Sequence, residues 1–313
     1  MSYQHWAHKI NCLGCSYAVP AVALSLLAFG AVADTPPSSE RNAHLETITV
    51  EAAREHEKVE RQVGEFVSDI AVARRDEALA NWQREIPICL LVAGLPRADG
   101  EYMLTRLSQI AASAGAPLAK EHCKPNFFVV VTSEPDALLK AWNKRDTRMF
   151  GDGGSTIIHK FLNANLPIRV WYNSEIYNSD GTPLGNGDAN DNFDIRNRPN
   201  NLRADASRIR FNDVRDLASV IVLIDAPRAR GISFGQLAAY VGLVGFAEIK
   251  TDAKVSDTPS ILQLFSNSRK QAPPGLSGWD EAFLKGLYHT EHLDQGQISA
   301  IKTAMVQDIA PRH

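Results

Sequence analysis

The segment ISFGQLAAYVGLVGF, residues 232–246, constrains the fold more than any other part of the chain. It has helix length and is apolar on nearly every side. A helix with no polar face has to be buried. It closely follows ASVIVLID, residues 218–225, a β-branched run of strand length. A buried helix close behind a buried strand needs a sheet to lie on.

The sheet is legible upstream. PICLLVAGL (87–95), NFFVVVTS (126–133) and PIRVWYN (167–173) are short apolar runs bounded by turn residues. Between the first two, Met103, Leu104, Leu107, Ile110 and Ala111 recur at helical spacing, and Gly115 is a natural stop. EPDALLKAW (134–142) reads as a short helix. PSILQLF follows the central helix, then a helix from Ser277 to about His289 and a last one from about Gly296. Strand, helix, three further strands, a buried helix and a helical tail make an α+β domain, with helices packed on one sheet. We place it at residues 86–313. Ahead of it, residues 51–85 form an N-terminal helical segment. There Val59, Val63, Phe66, Val67 and Ile70 fall on one stripe, as in a helix packed on the domain. Residues 34–50 read as a flexible polar linker.

The first 33 residues have another character. Lys9 is their only Lys or Arg, an apolar run starts at Ala21, and Ala31-Val32-Ala33 precedes Asp34. A positive start, a short apolar core and Ala-x-Ala predict a secretory signal peptide over residues 1–33, cleaved between Ala33 and Asp34. The apolar run is short of the roughly 20 residues of a membrane span, although an uncleaved anchor is the alternative. The expected location is periplasmic or secreted, with no stable membrane span after cleavage. Cys12 and Cys15 would leave with the signal. Cys89 and Cys123 remain, and in an exported chain their simplest reading is one disulfide; two buried thiols are the other. Net charge is −3 with no long basic run, which argues against a nucleic-acid partner.

GQLAAYVG has the frame His-Glu-x-x-His-x-x-Gly of zincin metallopeptidases, at the matching place in chain order. The chain resembles that fold. More closely it resembles a family of exported proteobacterial proteins (a domain of unknown function, some described as lipoproteins) that look like zincins without the intact zinc motif. The likeness covers about residues 86–290. It rests on ICLLVAGL…CKPNFFVVV, on VIVLID…GQLAAYVGL, and on DTPSILQLF…LSGWDEAFLKGLY, which matches that family's Ser-Ile-Phe and Leu-Thr-x-x-Asp…Leu-Tyr segments. The resemblance implies a zincin-like mixed β-sheet and a buried central helix at about 232–246. A zincin helix holds Zn²⁺ between two imidazoles one turn apart, with a Glu as base. Here Gly235 and Ala239 stand at the imidazole positions, Gln236 at the Glu, and Gly242 at the turn glycine. The degenerate motif implies no catalytic residue, no metal and no cofactor at this helix. Equally, GQLAAYVG reads as a core helix with small residues for close packing.

Other residues invite chemistry and have plainer readings. His289, Glu291 and His292 could hold a metal, or cap a helix end. His159 reads as surface or packing. Asp188, Asn190, Asp191, Asn192 and Asp194 lack EF-hand spacing and read as a polar loop. Arg196, Arg198, Arg203, Arg208, Arg210 and Arg215 alternate with Asp194, Asp205, Asp213 and Asp216, as on a solvated surface or along an anion groove. Asp225 ends a strand, where catalytic acids often stand. ETITV (46–50) resembles the coupling box of TonB-dependent receptors, and reads otherwise as an extended lead-in. The expectation is a non-catalytic envelope protein on a pseudoenzyme scaffold, binding a peptide or protein partner. The alternative is a hydrolase with a relocated site, at Asp225 or at His289 and His292.

Overall fold

The computed structural model describes residues 38–72, 79–145, 147–150, 154–178, 213–253, 255, 258–266, 269–290 and 296–310. The signal peptide predicted over residues 1–33, with its expected cleavage site at Ala33 and Asp34, lies outside them, as do the acidic and arginine-rich residues between 179 and 212. Two units meet after Thr47, and the fold belongs to the second, Ile48–His313. In the first, residues 38–47 are helical.

Helix α1 (Ser38–Ile70) starts earlier than the sequence suggests. Residues 38–50, ETITV included, are helical rather than an extended linker. After Pro36 and Pro37 no Gly or Pro interrupts the chain until Gly64, so nothing in the sequence stops a helix once begun. The stripe Val59, Val63, Phe66, Val67 and Ile70 is buried in the main core. The Phe66 ring meets Trp279 and Phe283 edge-on, with centroids 5.8 Å and 6.4 Å away. The N-terminal helical segment therefore shares its core with the rest of the fold.

Four strands follow: β1 (Leu90–Ala93), β2 (Phe127–Thr132), β3 (Ile168–Asn178) and β4 (Asp213–Asp225). They lie in the order β1-β2-β4-β3; β1, β2 and β4 are parallel, and β3 is an antiparallel edge strand. Each falls on one of the apolar runs of the sequence. β3 and β4 run further into polar residues, because each supplies the other's backbone partners over 11 pairings.

Side chains alternate between two faces. Val220, Val222 and Ile224 enter the main core, whereas Ile221 and Leu223 enter a second one. The main core holds α2 (Arg97–Ala114), α5 (Phe234–Phe246), α6 (Gly278–His289), α7 (Gln297–Ile309) and α1. The second lies under α3 (Pro135–Arg145) and α4 (Gly154–Leu162), where Phe150, Phe161 and Trp171 pack ring against ring. The fold is α+β, a mixed sheet with helices on both faces.

The Cys89–Cys123 disulfide joins the chain just before β1 to the chain just before β2, with Cα atoms 5.9 Å apart. Asn126 reinforces the same place. Its side-chain oxygen accepts from the Cys89 amide (2.7 Å) and its NH₂ donates to the Pro87 carbonyl (3.1 Å). Such a bridge fits an oxidising, extracytoplasmic compartment. For a loop of this size it contributes roughly 3–4 kcal/mol.

Glycine sets how closely α5 lies on the sheet. A Cβ at Gly245 would fall 2.1 Å from the Phe127 ring, and one at Gly242 would fall 3.1 Å from the Ile110 side chain of α2. Gly245→Ala should therefore destabilise the protein by about 1–3 kcal/mol through overpacking. Gly64→Ala, in α1 with nothing near its Cβ, should be neutral or stabilising. Urea unfolding of the two variants checks this.

Candidate functional site

The frame residues sit in the first turns of α5. Ser233 caps the helix, its hydroxyl accepting from the Gln236 amide at 3.2 Å. The Gln236 side chain donates to the Pro273 carbonyl at 3.1 Å and accepts from the Ser233 hydroxyl at 3.2 Å. It is committed to holding the 273–274 segment over the helix. Gly235 is half-buried; its Cβ position lies 3.7 Å from the Tyr102 hydroxyl of α2 and 3.8 Å from the Pro274 carbonyl. Ala239 is buried in the main core, and Gly242 faces Ile110. All four serve capping and helix contact. Beside Gly235, Tyr102 and Phe234 stay solvent-exposed, 45% and 37%, and meet edge-on with centroids 6.4 Å apart.

The other end of α5 is more constrained. An α-helix leaves its last carbonyls without internal partners, and here they are buried. Three side chains from three parts of the chain supply donors. Tyr172 of β3 donates to the Val244 carbonyl (2.6 Å), Trp82 Nε1 to Gly245 (2.9 Å), and the Tyr288 hydroxyl of α6 to Phe246. Burial pushes both phenols above their ordinary range, so both stay donors.

Asp280 is the second organising group. Its side chain is buried at the start of α6 and forms a capping box with Ser277. One carboxylate oxygen accepts from the Ser260 hydroxyl (2.6 Å). The other accepts from the Ile261 amide (2.9 Å) and from the Ser277 amide and hydroxyl (2.9 and 2.8 Å). The segments PSILQLF and LSGWDEAFLKGLY thus meet at one carboxylate, and Tyr288 of the second reaches α5. These residues carried the family likeness, and each does structural work here.

The remaining candidates are dispersed. His289 ends α6 with Nδ1 2.9 Å from the Lys285 carbonyl, its ring near Gly115. Glu291 and His292 lie outside the described residues. His159 is exposed on α4. Arg215 and Asp213 are in β4; Asp216, also in β4, is buried. Asp225 ends β4, and its carboxylate accepts from the Arg228 amide at 3.4 Å. Among the described residues no group of three His, Cys, Asp or Glu could hold a metal ion. No helix among them is long and apolar enough to cross a membrane. Sequence reasoning missed the aromatic donors, whose partners are remote in sequence. It also passed over Asp280, although Ser277-x-x-Asp280 is a capping-box signal.

Burial raises the Asp280 pKa, and its hydrogen bonds only partly offset this. The folded state therefore holds this proton more tightly than the unfolded chain. The contribution is fully present below the ordinary carboxylate value of 3.8 and lost as pH rises to the raised value. Asp280→Ala should remove that pH slope and, by leaving the Ile261 and Ser277 amides without acceptors, cost about 2–4 kcal/mol. Denaturant unfolding across pH 3–7 checks both.

Comparison of the chain with protein-family models, with curated proteins and with solved structures finds no match.

Proposed function

We propose that this is an exported protein of the cell envelope, periplasmic or secreted, whose scaffold is that of a degenerate zincin and whose task is to bind a peptide or protein partner. The carrying observation is the pairing of a filled motif turn with an exposed aromatic pair. Gln236 is tied to Pro273 and Ser233, and Ala239 is buried, so the turn has neither ligands nor a base. Tyr102 and Phe234 stand open beside it. Exposed aromatics set next to one another are the residue types that anchor interfaces. The order of mixed sheet, edge strand and buried helix supports the zincin-like scaffold, and the signal-type leader and the disulfide support export. A relocated hydrolase site, at Asp225 or at His289 and His292, is less favoured: the cleft at Asp225 is lined by no histidine, and His289 spends Nδ1 on the Lys285 carbonyl.

The test is photocrosslinking in the producing cell, with benzoylphenylalanine at position 102 and, as control, at Ile157, which is 61% exposed on α4. A discrete adduct at 102 and none at 157 is expected. Protein 34–313, purified without chelators, should contain far less than one zinc per chain. Near-stoichiometric zinc, or a hydrolytic activity abolished by a point change in this chain, would overturn the reading.

A further inference from the structure

β2 and β4 are adjacent and parallel, yet the chain leaves them toward opposite faces of the sheet. After Thr132 it enters α3, whose Leu139 is buried in the second core; after Asp225 it turns to α5 in the main core. Where neighbouring strands diverge in this way, a crevice opens outside their carboxyl ends, and ligands of open α/β sheets bind there. This chain has a cleft of about 580 Å³ at that point, within the range of small-molecule sites. It is separate from the aromatic pair beside α5.

Its lining is built of complementary charges. Arg169 is buried, with a side chain 6% exposed. It donates to Asp136 and to the Leu162 carbonyl (3.1 Å), while its buried Nε–H has no acceptor among the described residues. Arg228 is exposed and spends one N–H on Asn165 (2.9 Å). Asp136 and Ala137 lie in the first turn of α3, where amides lack helical acceptors. Against these donors stands the Asp225 carboxylate, which accepts from the Arg228 amide at 3.4 Å. With Asp136 joined to Arg169, the remaining charges are Arg228, Asp225 and Glu134. The excess of acid disfavours a phosphate or any simple anion. The donors equally disfavour a bare amine.

We infer that the cleft binds a small zwitterion, a free α-amino acid or a short peptide, with its carboxylate toward Arg228 and its ammonium toward Asp225. The test is calorimetric titration of the mature chain with L-alanine and with L-alanyl-L-alanine, against acetate, ethylammonium and inorganic phosphate. One of the two zwitterions should bind saturably, and each control should bind at least about tenfold more weakly. Asp225→Asn and Arg228→Gln should each weaken binding by about tenfold or more with the melting temperature unchanged. The better of the two zwitterions distinguishes a free amino acid from a peptide. Absence of saturable binding, a control that binds as well, or binding indifferent to both substitutions would overturn the assignment.

Discussion

The structure depends on satisfying the buried end of one apolar helix. α5 has no polar face with which to meet water, so its terminal carbonyls need protein donors. Tyr172, Trp82 and Tyr288 supply them from the edge strand, from the segment before the sheet, and from α6. Each hydrogen bond is ordinary in strength, but an unmet buried carbonyl would cost about 1–3 kcal/mol. The three donors therefore fix where β3, the 79–82 segment and α6 can lie around the helix.

The strands and the central helix could be read from sequence because their signals are local. Residues 218–225 and 232–246 carry composition and length that admit few alternatives, and Cys89 and Cys123 are the two cysteines beyond residue 15. The start of α1 was not legible in the same way. The β-branched residues of ETITV favour extension, whereas the neighbouring Glu, Ala and His residues continue a helix. The aromatic caps and the Asp280 junction were illegible for another reason. Tyr, Trp and Asp occur throughout such chains, and only proximity reveals which of them meets an orphan amide or carbonyl.

The same distinction applies to the functional residues. GQLAAYVG could be seen to lack zinc chemistry, since no imidazole or carboxylate is present. What those positions do instead required the structure. Gly235 and Gly242 bring α2 and α5 close, and Gln236 joins the helix to the 273–274 segment. Asp225 was visible only as an acid at a strand end. Its neighbours Arg169 and Asn165 come from around the start of β3, and Asp136 from α3, so the mixed-charge lining exists only once β2, β3 and β4 are assembled.

The donors that complete α5 also order its folding. They stand 163, 72 and 42 residues from their acceptors, and β4 joins β2 across the whole of α3, α4 and β3. Contacts this distant form only after long loops close, which makes folding slow. Until then the most apolar of the described helices has neither its sheet nor its caps. A nascent chain, emerging in the amino-to-carboxyl direction, presents Trp82 and Tyr172 before α5, but Tyr288 after it. The helix is thus left unfinished until the carboxyl-terminal helices arrive, and over that interval a holding chaperone has an obvious substrate.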